Sequence, residues 1–366
     1  MRQSIKRFFF HPLSVSLILF FILLNVAAWS FRGNIQLLSD PDTFIWNHKI
    51  QMLESGELKD VKVVILGDSQ TMSGIVPGLL EKSLGKKTYN LGLPAMQPEG
   101  LEAMVPLLKR AGVETVIVNI NPYCLFRTEV FDSFLTYYRS TFMQGSFRAL
   151  FRRPDLVGKS AGQWFSQALT IFPAYAAHEN VQYFFTPASA IRFPGDVAQT
   201  MPDDSLRYFE EGWNPRANMK KVADRNLFVR RTTDENAGFW TWKSYSPPDF
   251  SCKNVALDPL PLRVVYPDRP GAVESWKRVV RLLKDSGIRT IFVQIPFSGV
   301  WKNTTDPVSV YGRLDARLLE ILSENPEMKS IPRPENFPDT NVFHDWTHLS
   351  PCGASLFTRY LIDRLQ

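Results

Sequence analysis

The chain is predicted to be an α/β protein: a parallel sheet flanked by helices, with an apolar helix ahead of it and a large, mostly helical or irregular insertion within it. Three observations predict this. Short apolar runs alternate with stretches of helical spacing near both ends of the 366 residues. Those runs are continuous rather than alternating, as strands covered on both faces require. The middle of the chain loses the rhythm and is rich in aromatics (Trp164, Trp213, Trp240 and Trp242 among them) and prolines.

The first element is the stretch from Leu13 to Phe31. It carries no charge, and its one strong polar interruption is Asn25. Arg2, Lys6 and Arg7 precede it and Arg32 follows. As a helix it would reach roughly 28 Å, close to a hydrocarbon core of ~30 Å. The basic flank predicts a cytoplasmic N-terminus, with everything after about residue 32 on the far side. A cleaved signal peptide calls for a shorter apolar region and an A-x-A-like site, which Val26-Ala27-Ala28 matches poorly. A buried core helix is rarely so uniformly apolar. The favoured reading is a cytoplasmic tip and retained anchor over residues 1–32, with the lipid bilayer as partner through residues 13–31.

Residues 33–60 read as a connector holding a short helix around 44–53. Residues 61–66 read as a strand, apolar but for Lys62. Pro77 opens a helix over 77–84, its ring suited to a first turn. Residues 88–91 form a second strand. Residues 100–111 are helical, with Leu101, Val105 and Leu108 on one face. Gly112 ends that helix, and 115–120 is the third strand. The rhythm resumes with a helix over 273–284, a strand over 290–295, and helices over 314–322 and 354–365. The sheet domain is thus expected over 61–123 and 271–366, and the aromatic-rich insertion over 124–270. In such sheets reactive groups gather at the carboxyl ends of the strands. Ser69, Gly92 and Asn121 all fall there.

Composition narrows the function classes. With 45% hydrophobic and 21% charged residues the chain is globular. A net charge of +6 is spread over scattered pairs such as Arg152-Arg153 and Arg230-Arg231. No basic block marks a nucleic-acid footprint, so no nucleic-acid partner is expected. An affinity for anionic glycan or lipid headgroups stays open. Cys124, Cys252 and Cys352 are too few for a disulfide scaffold and too dispersed for a metal motif. The favoured reading makes all three small buried residues. A Cys124–Cys352 bridge is the alternative in an oxidising compartment.

Two segments almost 280 residues apart carry the chemistry. Leu66-Gly67-Asp68-Ser69-Gln70 puts a serine hydroxyl at the end of a buried strand; His344-Asp345-Trp346-Thr347-His348 offers a carboxylate and an imidazole three positions apart. A serine hydroxyl needs a base to become a nucleophile, and a neutral imidazole oriented by a carboxylate is such a base. Ser69, His348 and Asp345 are therefore the candidate catalytic residues. Structural readings stand beside each: Ser69 as a helix-initiating turn residue, Asp345 and His348 as a polar cap on the last helix. Asp68 reads as a helix cap or turn support. Gln70 is a candidate for substrate contact. A His344/His348 zinc pair ranks below the base, because Pro351 and the turn-like Asp-Trp-Thr argue against a helix there and no third ligand is near. No metal or cofactor is expected.

Gly67-Asp68-Ser69-Gln70 resembles block I of the GDSL/SGNH hydrolase superfamily, and Asp345-Trp346-Thr347-His348 resembles its DxxH block V, in that family's order. The resemblance covers roughly 61–123 and 288–366. It implies a flavodoxin-like three-layer sandwich with a central parallel sheet, and an oxyanion hole built from Ser69, a block II glycine and a block III asparagine. Gly92 in Asn90-Leu91-Gly92 is similar to the former. For the latter the family reads Gly-x-Asn-Asp, whereas this chain reads Asn119-Ile120-Asn121-Pro122-Tyr123. Asn121 is preferred to Asn119, although the usual register would fall at Tyr123. The implied function is a membrane-anchored extracytoplasmic serine esterase or O-acyltransferase. It would act on acyl (acetyl by expectation) esters of envelope carbohydrate, at a bacterial inner membrane, and a polytopic membrane acyltransferase is the implied partner. The alternative is a non-catalytic SGNH-like module that binds envelope glycan or such a partner. A phosphodiesterase or metal hydrolase would need acidic or histidine clusters that the sequence does not present.

Overall fold

The structure is a computed structural model that describes residues 11–126, 128–144, 146, 151–158, 160–177, 215–240, 248–252, 267–298, 307–338 and 341–366. Trp213, Trp242 and the basic residues ahead of the apolar helix lie outside these residues. Contacts group the chain into two units, Met1–Phe44 with Arg139–Leu227 and Ile45–Tyr138 with Phe228–Gln366. The stretch 124–270 is thus divided: 139–227 groups with the N-terminal residues, and the remainder belongs to the sheet-containing unit.

The strands are β1 (Val63–Leu66), β2 (Thr88–Asn90), β3 (Thr115–Asn119), β4 (Arg289–Val293) and β5 (Lys329–Ile331). The helices used below are α1 (Pro12–Ser30), α2 (Pro41–Ser55), α3 (Ser69–Gly74), α4 (Pro77–Leu84), α5 (Pro98–Arg110), α6 (Pro122–Phe126), α7 (Thr128–Tyr138), α8 (Ala161–Leu169), α9 (Pro173–Ala176), α10 (Pro215–Glu235), α11 (Ala272–Asp285), α12 (Pro307–Leu322) and α13 (Pro351–Leu365).

The five strands are all parallel, in the order β2-β1-β3-β4-β5. In β1, Val63 and Ile65 pack with Leu80 of α4 and with Phe357 and Leu361 of α13 in one buried cluster, which Ile117, Ile291, Val293 and Ile331 extend. Alternate strand positions point to the opposite face. There Phe292 meets Trp276 of α11, ring centroids 6.3 Å apart. Helices therefore cover both faces, which is why the strands read as unbroken apolar runs. Truncating a ring such as Phe357 or Trp276, both almost fully buried, would cost about 3–5 kcal/mol.

Four strands fall where the sequence predicts them, β2 (Thr-Tyr-Asn) without an apolar run of its own. The fifth, β5, is a three-residue edge strand, Lys-Ser-Ile, with two of its residues exposed, and carries no apolar run. Helix α12 begins at Pro307, ahead of the expected 314. Within the expected connector, α2 is a full helix whose Ile45, Trp46 and Lys49 side chains are buried. In α7, Phe134 packs on Trp46, with centroids 6.0 Å apart.

The cysteines match the expectation of small buried residues outside any disulfide only at Cys124, and neither expectation gives the pairing found. Cys352 is bonded to Cys252, 100 residues away, and Cys124 is free and buried. The Cys124 thiol sits in the first turn of α6, donating to the Asn121 carbonyl at 3.1 Å, and burial pushes its pKa up to about 12.

Candidate active site

The order β2-β1-β3 places β2 on one side of β1 and β3 on the other, so the chain reverses its winding direction between β1 and β3. A crevice at the carboxyl ends of the strands is expected at such a point. Ser69 follows β1 there, and Asn121 follows β3.

The β1–α3 turn is built for a serine at the first helical position. Gly67 has φ +149°, and a Cβ added there would lie 2.1 Å from Thr71 Oγ1, so only glycine fits. Asp68 is the N-cap: its Oδ1 accepts from the Gln70 N–H at 3.1 Å. Ser69 opens the helix, and its own N–H has no hydrogen-bond partner among the described residues.

The second segment is a tight antiparallel loop. Phe343 pairs with Leu349, the His344 N–H donates to the His348 carbonyl at 2.8 Å, and the Ser350 N–H donates to Val342 O at 2.9 Å. At its tip Asp345 Oδ1 accepts from the Thr347 and His348 N–H groups, each at 2.8 Å. The Asp345 carboxylate faces His348 Nδ1 at 2.8 and 2.9 Å, and His348 Nε2 lies 2.8 Å from Ser69 Oγ. The imidazole therefore bridges carboxylate and hydroxyl. Burial works to raise the Asp345 carboxyl. The neighbouring His348 and the hydrogen bonds donated to Asp345 outweigh it and hold that carboxyl well below the usual carboxylate range. His348 is itself buried.

Three sequence-derived roles do not survive the geometry. Gly92 was expected to offer its N–H to an oxyanion, but that N–H donates to Asn90 Oδ1 at 2.8 Å. A Cβ at Gly92 would lie 2.5 Å from the Met72 nitrogen, so the glycine is there for close packing against α3. Asn121 was expected to donate from its amide, but both hydrogens are used: Nδ2 binds Asp68 Oδ2 and Gln70 Oε1, each at 2.7 Å. Gln70 was expected to touch substrate, but it is fully buried, and its Nε2 donates to the Thr347 carbonyl at 2.6 Å. Asn119 is buried beneath the Gly67 turn; its Oδ1 accepts from Ile295 N–H and its Nδ2 has no partner among the described residues.

These side chains instead form a buried polar chain. Asn121 joins the residues on either side of Ser69, and Gln70 carries the link to the loop holding His348. Burial raises the Asp68 carboxyl within it, against the lowering effect of Asn121, His348 and the Gln70 and Thr71 amides.

Sequence reasoning missed a second layer behind α3. The Asn90 amide donates to the carbonyls of Thr71, Met72 and Ile75 at 2.8, 3.4 and 3.0 Å, anchoring the far end of the helix that Ser69 begins. Lys49, fully buried, gives its ammonium to the carbonyls of Asn90, Gly92 and Gly238 at 2.9, 2.9 and 2.7 Å. Burial drives the Lys49 pKa well below its ordinary value, with Asp234 opposing. In sequence Lys49 sits between polar His48 and apolar Ile50, and only its helix face, shared with Ile45, Trp46 and Leu53, is apolar.

The loop after β2 holds a further donor. Met96 N–H bonds Leu93 O at 3.2 Å, with Pro94 and Ala95 between them and Ala95 at φ +53°. That is a type II turn with alanine in the position glycine usually takes. Leu93 N–H binds Gly67 O, so the turn abuts the Ser69 turn. The Pro94 carbonyl accepts from buried Trp46 Nε1 at 2.9 Å. In a trans peptide the N–H points opposite to the C=O, so the Ala95 N–H is directed away from Trp46. It has no partner among the described residues.

Among the described residues no three His, Cys, Asp or Glu side chains cluster as metal ligands. The chain matches no protein-family model and no curated protein at the level that marks a relative.

Proposed function

We propose that this chain is a membrane-anchored serine esterase or O-acyltransferase of the SGNH-like kind, working through Ser69, His348 and Asp345. One observation carries the reading: hydroxyl, imidazole and carboxylate are aligned by 2.8 Å contacts although the serine is 279 residues from the histidine. The parallel order β2-β1-β3-β4-β5, helices on both faces and the serine at the point of reversal agree with the flavodoxin-like sandwich that the family resemblance implies.

In this reading Ser69 Oγ attacks the ester carbonyl carbon while His348 Nε2 takes its proton. The C–O bond breaks, His348 returns the proton to the leaving alcohol, and the acyl group rests on Ser69. Water, or a carbohydrate hydroxyl, then gives its proton to His348 and attacks the acyl carbon, freeing the serine. Asp345 fixes the imidazole tautomer and balances the imidazolium. The oxyanion would meet the Ser69 N–H, which has no partner among the described residues, with the Ala95 N–H as the candidate second donor, rather than Gly92 and Asn121.

The site of action is proposed as the extracytoplasmic side of a bacterial inner membrane. One helix, Pro12–Ser30, is long and apolar enough to cross a membrane, a property that an anchor shares with a signal sequence. The Cys252–Cys352 bond suits an oxidising compartment. Envelope carbohydrate as substrate and a polytopic acyltransferase as partner complete the proposal. The second reading, a non-catalytic binding module, is favoured by one observation: the donors of Gly92 and Asn121 are already taken.

The test is acetyl-ester hydrolysis by the detergent-solubilised full chain, wild type against Ser69→Ala and His348→Ala. The proposal expects turnover only in the wild type; equal rates in all three would end it.

A further inference from the structure

In the unit formed by Met1–Phe44 and Arg139–Leu227, residues 160–177 are without a single charged side chain. They include α8 and α9. Their apolar groups face outward: Phe165 is 68% exposed, with Ile171 and Phe172 also open, and nearby Phe151 is 71% exposed. Apart from Ser160 and Gln163, which are exposed, several of their polar groups are hydrogen-bonded among themselves. Ser166 Oγ meets Tyr175 OH at 2.9 Å, Thr170 Oγ1 donates to Gln167 O at 2.7 Å, and Trp164 Nε1 donates to Gly158 O at 3.1 Å. Ser160 and Gln163 close a reciprocal capping box at the start of α8. A water-facing helical segment would show the opposite pattern.

This segment is docked on the apolar helix α1. Phe172 packs edge-on against Phe21, with centroids 5.1 Å apart. The Ala174 N–H, which Pro173 leaves at a helix start without an internal acceptor, donates to Asn25 Oδ1 at 3.1 Å. Asn25 Nδ2 donates to Phe21 O at 2.8 Å. The one strong polar interruption of α1 is thus satisfied at both ends, once by its own helix and once by 160–177. At ~1.5 Å per residue, Asn25 and Phe21 lie about 7.5 and 13.5 Å inside the Ser30 end of α1, within one leaflet of a ~30 Å hydrocarbon core.

We infer that residues 160–177 are a second membrane element, a re-entrant segment that dips into the extracytoplasmic leaflet beside α1 and presents Phe165, Ile171 and Phe172 to acyl chains. Non-helical backbone tolerates that depth only where protein groups satisfy it, and the Ala174–Asn25 bond does this. The inference rests on α1 being a retained membrane helix and is independent of the Ser69 chemistry. It also gives Asn25 a purpose that a cleaved leader would not need.

The test uses the full chain in phosphatidylethanolamine/phosphatidylglycerol vesicles, with an environment-sensitive NBD label at Phe165→Cys or, separately, at Leu19→Cys on the exposed face of α1. Cys124 is buried and the other cysteines are bonded, so the label goes to the new thiol. Both labels are expected to be quenched by lipid-borne nitroxide and shielded from iodide. A label at 165 reached by iodide and not by nitroxide, with 19 in lipid, overturns the inference and leaves the anchor standing. A label at 19 also reached by iodide removes both.

Discussion

Ser69 and Asn121 follow neighbouring parallel strands of one sheet, at the edge where reactive groups collect, and the sequence makes both candidates for the site, one as nucleophile and the other as an oxyanion donor. Their surroundings separate them. The Ser69 hydroxyl meets the His348 ring, and its N–H has no partner among the described residues. Both amide hydrogens of Asn121 are taken by Asp68 and Gln70, and its Oδ1 accepts from the Tyr123 N–H. A polar residue at a strand end is available for chemistry only if the fold has not already used its donors. Asn121 is a brace for the groups beside Ser69.

The largest effect expected from this contrast is at Ser69 and His348. Replacing either with alanine should lower kcat/KM for an acyl ester by about 10⁴–10⁶-fold, with the melting temperature little changed. Asp345→Asn should lose about 10⁴ by leaving the imidazole wrongly oriented. Steady-state rates beside thermal melts check both.

Asn121→Ala sharpens the comparison from the other side. Removing the brace leaves Asp68 and Gln70 with unmet buried groups, a destabilisation of about 1–3 kcal/mol readable by urea denaturation. Were Asn121 an oxyanion donor, the loss would fall on kcat by ~10²–10³ at unchanged stability. The disulfide bears on the same loop. Cys352 lies four residues after His348, and Cys252→Ser should cost about 2–5 kcal/mol, seen as a lowered melting temperature; a reducing agent should lower the wild type in the same way and leave Cys252→Ser unchanged.

The smallest effect is in acid. The Asp345 carboxyl is depressed in the folded state below its ordinary value of 3.8. Its contribution is therefore fully present above that value and is lost as pH falls below it. Asp345→Asn should flatten the fall of stability at low pH and leave the neutral range parallel to wild type. A variant as acid-sensitive as wild type would contradict the assignment of that carboxylate.

How much of this was legible follows from physical range. Strands β1, β3 and β4 were readable because burial on both faces writes an apolar run, as in Val63–Leu66; β2, Thr-Tyr-Asn, carries none and was placed by its position between two helices. Strand β5 was not, because a short edge strand with Lys329 and Ser330 exposed has no such signature. The approach of positions 69 and 348 was anticipated from side-chain chemistry and order along the chain. The roles expected of Gly92, Asn121 and Gln70 were not those observed, because hydrogen-bond use depends on contacts from distant segments: Thr347 for Gln70, Asp68 for Asn121. Lys49 and Asn90 were invisible for the same reason. The Cys252–Cys352 pairing lay beyond sequence because three cysteines do not specify their connectivity.

The most direct measurement is labelling of the folded full chain with a fluorophosphonate, followed by peptide mapping. The account predicts a single adduct on Ser69, absent in Ser69→Ala and greatly slowed in His348→Ala. Folded wild-type protein that takes no label, or an adduct that persists in Ser69→Ala, would contradict it.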